Sequence, residues 1–166
     1  MMNWSMLVCA SAAVLLAVAA LHDLAVRTVP NALTGIIAVC GLWLALIQHR
    51  FLPSIGVSAL LLGLSAILWL RGYMGGADAK LLAATGMLVT PGDVPTMLLA
   101  TVLAGGLLCL PYLPGGRLFA RPVPGRPRTV PARLLRCERW RLRRHGPLPY
   151  AVAIAAGTLF VLLQGA

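Results

Sequence analysis

The sequence predicts an all-α polytopic membrane protein. It should have about six transmembrane helices, its N-terminus outside, and a large basic cytoplasmic loop between helices 5 and 6. Three observations carry this reading. First, 60% of the 166 residues are hydrophobic and the mean hydropathy is +0.88. A water-soluble domain of this length has no interior large enough to bury so much apolar surface. Second, the apolar residues fall into six segments, most of them near the roughly 17–25 residues a helix needs to cross a bilayer. Third, Lys and Arg gather in alternate connections, which is the asymmetry that sets orientation.

The first segment, residues 4–21, could be mistaken for a signal peptide, because Ala17-Val18-Ala19 resembles a cleavage site. No Lys or Arg precedes it, whereas a signal peptide begins with basic residues, so a retained helix is expected. The second segment, 31–47, opens after Pro30, and Asn31 is predicted as its N-cap. The third, 55–70, follows Pro53. Gly72, Gly75 and Gly76 break the chain before the fourth, 77–89. That segment is short, so Asp78 at its start is expected near the membrane interface. Pro91-Gly92 separates it from the fifth, 94–113, and Pro147 is placed to begin the sixth, 148–163. Gly63, Gly105, Gly106 and Gly157 read as small residues that let helices approach closely.

Ten of the 14 Lys and Arg residues lie between Arg117 and Arg144. With six spans and an outside N-terminus, that stretch, Arg27, Arg71 and Lys80 all face the cytoplasm, leaving Arg50 outside. The chain is then one membrane-embedded domain, 1–166, containing an Arg/Pro-rich cytoplasmic loop, 114–146. The loop should be irregular through Pro131, and 132–144 reads as a short, loosely amphipathic helix. Its expected task is to anchor topology by contact with anionic lipids. No recognition motif accompanies the +10 net charge, so a nucleic-acid partner is not expected.

The chemistry rests on a scarcity of acids: the chain has only Asp23, Asp78, Asp93 and Glu138. Asp23 ends the first apolar run, in His22-Asp23-Leu24-Ala25-Val26-Arg27-Thr28-Val29-Pro30-Asn31. Asp78 opens the fourth, in Gly75-Gly76-Ala77-Asp78-Ala79-Lys80-Leu81. An ionisable group at the edge of lipid is expensive and is a functional candidate by default. The topology puts both at the cytoplasmic edge and Asp93 across the bilayer. Two carboxylates that converge can share a proton and activate water. The structural alternative is a buried ion pair, Asp23 with Arg27 or Asp78 with Lys80. The four cysteines are scattered without a CxxC pair, the three histidines are dispersed, and neither HExxH nor a Gly-rich phosphate loop occurs. No metal and no cofactor are expected. A competing class is a small transporter or an assembly scaffold, with the aspartates as a proton relay or a structural pair. A relay usually places its acids at mid-membrane depth, which these segment-end positions do not suit.

These residues resemble the prepilin peptidases, the GxGD class of membrane aspartic proteases. The family's first signature reads approximately D-L-x-x-R-x-I-P-N-x-L-T. Asp23, Leu24, Arg27, Val29, Pro30, Asn31, Leu33 and Thr34 match it, with Val29 for Ile. The second reads G-x-G-D-x-K-L, and Gly75, Asp78, Lys80 and Leu81 match, with Ala77 in place of the second glycine. The stretch 148–157 is similar to the family's final helix. The resemblance implies cleavage of a prepilin or pseudopilin leader at the cytoplasmic face of the bacterial inner membrane. Asp23 and Asp78 would be the catalytic pair, with Arg27, Asn31, Gly75, Gly76 and Lys80 as supporting or substrate-binding residues. The chain lacks the cysteine-bearing cytoplasmic domain of the larger members that also N-methylate their product. Peptidase activity alone is therefore expected, and the short form is similar to the enzymes of tight-adherence (Flp-type) pili, whose assembly proteins are candidate partners.

Overall fold

A computed structural model describes residues 4–110 and 148–165. The Arg/Pro-rich loop and Pro147 lie outside the described residues, so the expectations placed on them do too. The described residues form six α-helices: α1 (Trp4–Val26), α2 (Asn31–Ile47), α3 (Phe51–Leu70), α4 (Gly76–Leu88), α5 (Val94–Cys109) and α6 (Tyr150–Gln164). A 3-10 turn, Pro91–Asp93, leads into α5.

Three stretches are long and apolar enough to cross a membrane: α1, α3, and the 3-10 turn together with α5. Helices α2 and α6 are apolar but shorter. The protein is a helical membrane protein, and its packing agrees. Leucine, valine and tryptophan side chains stand outward, among them Trp4, Val14, Val18, Leu60, Leu64, Leu99, Val102 and Leu103. The interior instead holds small and hydroxyl residues beside a few large ones such as Leu16, Ile37, Leu81, Met97 and Ile154. In lipid, burying apolar surface gives helices no reason to associate, so close approach and interhelical hydrogen bonds take that role.

Helix α4 lies at the centre, against α2, α3 and α6. Its Ala79, Ala83, Ala84 and Gly86 are too small to hold neighbours away. A Cβ on Gly86 would stand 3.8 Å from the Ser58 Cα, and one on Gly41 would stand 2.7 Å from the Met87 Cβ. Ser58 Oγ donates to the Ala83 carbonyl at 2.8 Å, and Ser65 Oγ reaches the Ala79 carbonyl at 3.3 Å. These bonds tie α3 to α4 along their length. Helices α5 and α6 meet at Gly157, where a Cβ would lie 2.6 Å from the Thr101 amide nitrogen. A Cβ on Gly105 would make ordinary contacts with Tyr150 and Ala153. Gly63 and Gly106 face no described atom within 4 Å, so the packing role expected of them is not seen there.

The helix ends are set by hydrogen bonds more than by hydropathy. Helix α1 continues past residue 21 to Val26 and stops at Arg27, whose left-handed φ of 62° turns the chain. Its amide bonds the Asp23 carbonyl at 2.8 Å, the bond that closes a left-handed helix end. Helix α2 ends with His49 at φ 53°. There the His49 amide bonds Leu46 and the Arg50 amide bonds Ala45, the paired closure of a Schellman turn. Helix α3 closes in the same way through Gly72, at φ 77°, and Tyr73. Asn31 does not cap α2: Pro30 holds the cap position, and no side chain caps the end.

Candidate active site

Asp23 sits one turn before the end of α1 and is 6% exposed. Asp78 sits half-buried in the first turn of α4. Helix α1 runs into the end of the bundle that α4 runs out of, and the two carboxylates come within Coulombic reach of each other there. The helices that carry them share little packing of their own. Both lean on α2 and α6 instead, so the juxtaposition is a product of the whole bundle.

Among the described residues, Arg27 at the end of α1 acts on Asp78 as a cation. Lys80, expected as a local partner for Asp78, points elsewhere: its Nζ donates to Asn31 Oδ1 at 3.2 Å. Arg27 occupies its left-handed position at a backbone cost of about 1–2 kcal/mol for a residue with a Cβ. That conformation carries its guanidinium toward the acid pair. Two nearby carboxylates repel when both are ionised, and a guanidinium beside them offsets the repulsion.

Gly75 leaves space that the Asp78 side chain uses. The Asp78 carboxylate lies over it, and a Cβ at position 75 would stand 2.8 Å from Asp78 Oδ2. Its backbone, at φ −69° and ψ 140°, is open to any residue. A Cβ at Gly76 would meet Trp69 Nε1 at 3.1 Å. Ala77 lies within α4 and is not among the described residues with positive φ. Alanine in place of the second glycine of the signature is therefore unstrained.

Two contributors were not anticipated. His22 bonds through Nδ1 to the Thr28 carbonyl at 2.6 Å and pins the turn after Asp23. Only its place beside Asp23 could have signalled this. Arg50, read as the lone outer cation, binds the far end of α4. Asp93 is also at that far end and accepts a hydrogen bond from Thr90. A cavity opens there among Cys9, Gln48, Arg50, Leu88, Thr90 and Asp93, a helix length from the acid pair. Among the described residues, no three His, Cys, Asp or Glu side chains form a metal-ligand group.

The described residues thus form a helical membrane protein in which two carboxylates converge at one end of the bundle. The model of the type IV leader peptidase family matches residues 10–110. That is more than half of the chain, and the chain belongs to this family. The matched span holds both aspartates and all five supporting residues. Helix α6, which the sequence comparison had included in the resemblance, lies outside it. Neither the curated proteins nor the solved structures compared with the chain gave a match.

Proposed function

We propose that the chain is a membrane aspartic endopeptidase that removes the leader of type IV prepilin-like precursors. Asp23 and Asp78 would be its catalytic pair. The observation that carries this reading is their convergence from two helices with little packing of their own, in a family of leader peptidases. One carboxylate, ionised, takes a proton from a water molecule as that water attacks the scissile carbonyl. The other, protonated, hydrogen-bonds the carbonyl oxygen during the attack and gives its one proton to the amine as the C–N bond breaks, so the pair ends with its proton on the first carboxylate. Such a pair titrates as a unit.

Arg27 keeps the charge of the pair tolerable, Gly75 leaves room for the Asp78 carboxylate, and the Lys80–Asn31 bond holds α4 to α2 beside it. In the orientation favoured by the basic residues, all of this faces the cytoplasm of a bacterial inner membrane. A substrate whose hydrophobic helix already lies in the bilayer would offer its leader junction at that level. Six spans, a loop that holds anionic lipid, and a proteolytic function without N-methylation complete the reading. Flp-type pilins are the proposed substrates.

The test is incubation of the purified protein in detergent or proteoliposomes with a synthetic prepilin, read by mass spectrometry. A single cut before the hydrophobic helix, lost in Asp23→Asn and Asp78→Asn, is expected. Undiminished cleavage in either variant would overturn the aspartic mechanism. No cleavage of any prepilin by the wild-type protein would return the transporter or scaffold reading.

A further inference from the structure

Arg50 stands in the turn between α2 and α3, a helix length away from the acid pair, and has no place in the chemistry proposed above. Its guanidinium is nonetheless heavily engaged. Nε donates to Gln48 Oε1 at 2.6 Å, and Nη1 to Ser54 Oγ at 3.0 Å. The remaining bonds go to three consecutive carbonyls at the end of α4: Met87 at 3.3 Å, Leu88 at 2.9 Å and Val89 at 2.6 Å. The last four carbonyls of a helix have no partner within it, and this one side chain supplies a partner to two of those of α4, Met87 and Leu88, together with Val89 just beyond. A cation there also complements the negative end of the helix dipole. Burial lowers the Arg50 pKa, with the neighbouring Cys9 acting the other way. The group still carries its charge at any physiological pH.

The geometry points to Arg50 as a positioning residue for Asp78, a clamp that fixes the axial register and rotation of α4. The proposal rests on the peptidase reading of Asp78. Slipping a helix by one residue moves it about 1.5 Å and turns it about 100°. Either change would carry Asp78, about 14 Å back along the same helix, off its alignment with Asp23. A planar fork that grips three successive carbonyls opposes both motions, whereas a single point contact opposes neither. The clamp is itself built rigidly. The Schellman turn through His49 fixes the Arg50 backbone, and fully buried Ser54 holds its guanidinium from the first turn of α3. The serine bonds from α3 hold α4 on one side. Arg50 ties its end to α2 as well.

The experiment reads register separately from catalysis. In a background with all four cysteines replaced by serine, Asn31→Cys and Lys80→Cys are introduced, and the rate of cross-linking by a short bis-methanethiosulfonate is measured in membranes. Arg50→Gln should slow cross-linking severalfold, and Arg50→Lys should fall between it and wild type. With Asn31 and Lys80 intact, Arg50→Gln should lower kcat on a synthetic prepilin by about 10²-fold, the effect of an ångström-scale misplacement, with KM little changed. Should Arg50→Gln not yield a monodisperse protein, Ser54→Ala loosens the guanidinium while keeping its charge, and should shift both readouts in the same direction. Unchanged cross-linking in these variants overturns the clamp, whatever happens to cleavage. Slowed cross-linking with undiminished kcat overturns its role in positioning Asp78. Slowed cross-linking in a protein whose wild type cleaves no prepilin leaves the clamp standing and removes the peptidase reading.

Discussion

Lys80 Nζ donates to Asn31 Oδ1 across 3.2 Å, a bond from the second turn of α4 to the start of α2 that joins the two signature segments. Both residues are exposed. An exposed charged contact contributes up to about 1 kcal/mol, so its value lies in alignment more than in stability. Lys80→Met and Asn31→Ala should each reduce cleavage modestly, and the double variant should be little worse than either single one. A double-mutant cycle on kcat/KM measures this coupling. Fully additive losses would show that the two residues act separately.

Replacing either acid should remove activity and spare the fold. Asp23→Asn and Asp78→Asn are each expected to lower kcat by roughly 10²–10⁴-fold, the usual contribution of a general acid or base. Asp93→Asn should be nearly silent, because its carboxylate accepts from Thr90 at the opposite end of the bundle. Initial rates on a synthetic prepilin, with gel filtration as the control for folding, decide the matter. A large loss in the Asp93 variant would contradict the placement of the site.

Position 75 should tolerate alanine badly and position 77 should tolerate glycine well. A Cβ at 75 would press on Asp78 Oδ2 from 2.8 Å, so Gly75→Ala should displace the carboxylate and cut kcat at least tenfold. Ala77→Gly restores the second glycine of the signature, but the residue is helical. It should cost about 1 kcal/mol in helix stability and change kcat little. Equal activity of Gly75→Ala and wild type would dismiss the steric account.

Gly157→Ala tests the packing of α5 on α6. The new methyl group would meet backbone atoms of Met97 and Thr101, at 2.8 and 2.6 Å, and backbone cannot rotate away. Overpacking of this kind typically costs 1–3 kcal/mol. A lowered Tm in detergent is the expected readout. Gly106→Ala, which faces no described atom within 4 Å, is the matched control.

Much of this was legible in the sequence. Apolar segments marked every described helix, and 31–47 coincides with α2, because Pro30 and the polar Gln48-His49-Arg50 leave little choice. The acid pair was legible because so few acids compete for attention. The misreadings share a cause. Segment 4–21 ended where hydropathy fell, but backbone bonding carries α1 on through Asp23 to Val26. Segment 55–70 was started after Pro53, but a proline in the first turn needs no amide partner, so α3 begins at Phe51. Asn31 looked like a cap because its role depends on Lys80, 49 residues later. The grip of Arg50 on Met87, Leu88 and Val89 was equally invisible, since nothing local in the sequence announces a bond that long-range topology creates.

Helix α4 has a consequence for how the protein is made. Its 13 residues extend about 20 Å, short of the roughly 30 Å of hydrocarbon in a bilayer, and they include Asp78 and Lys80. Lipid offers such a segment little reason to enter unaided. Helix α3 does have the length and apolarity to enter, and it bears the serines that bond to α4. Biogenesis should therefore treat the two as one hairpin, with α4 leaving the translocation channel already leaning on its predecessor. Glycosylation-site mapping in microsomes would register integration of α3–α4 and failure of α4 alone. The helix that carries Asp78 would then owe its place in the membrane to its neighbours.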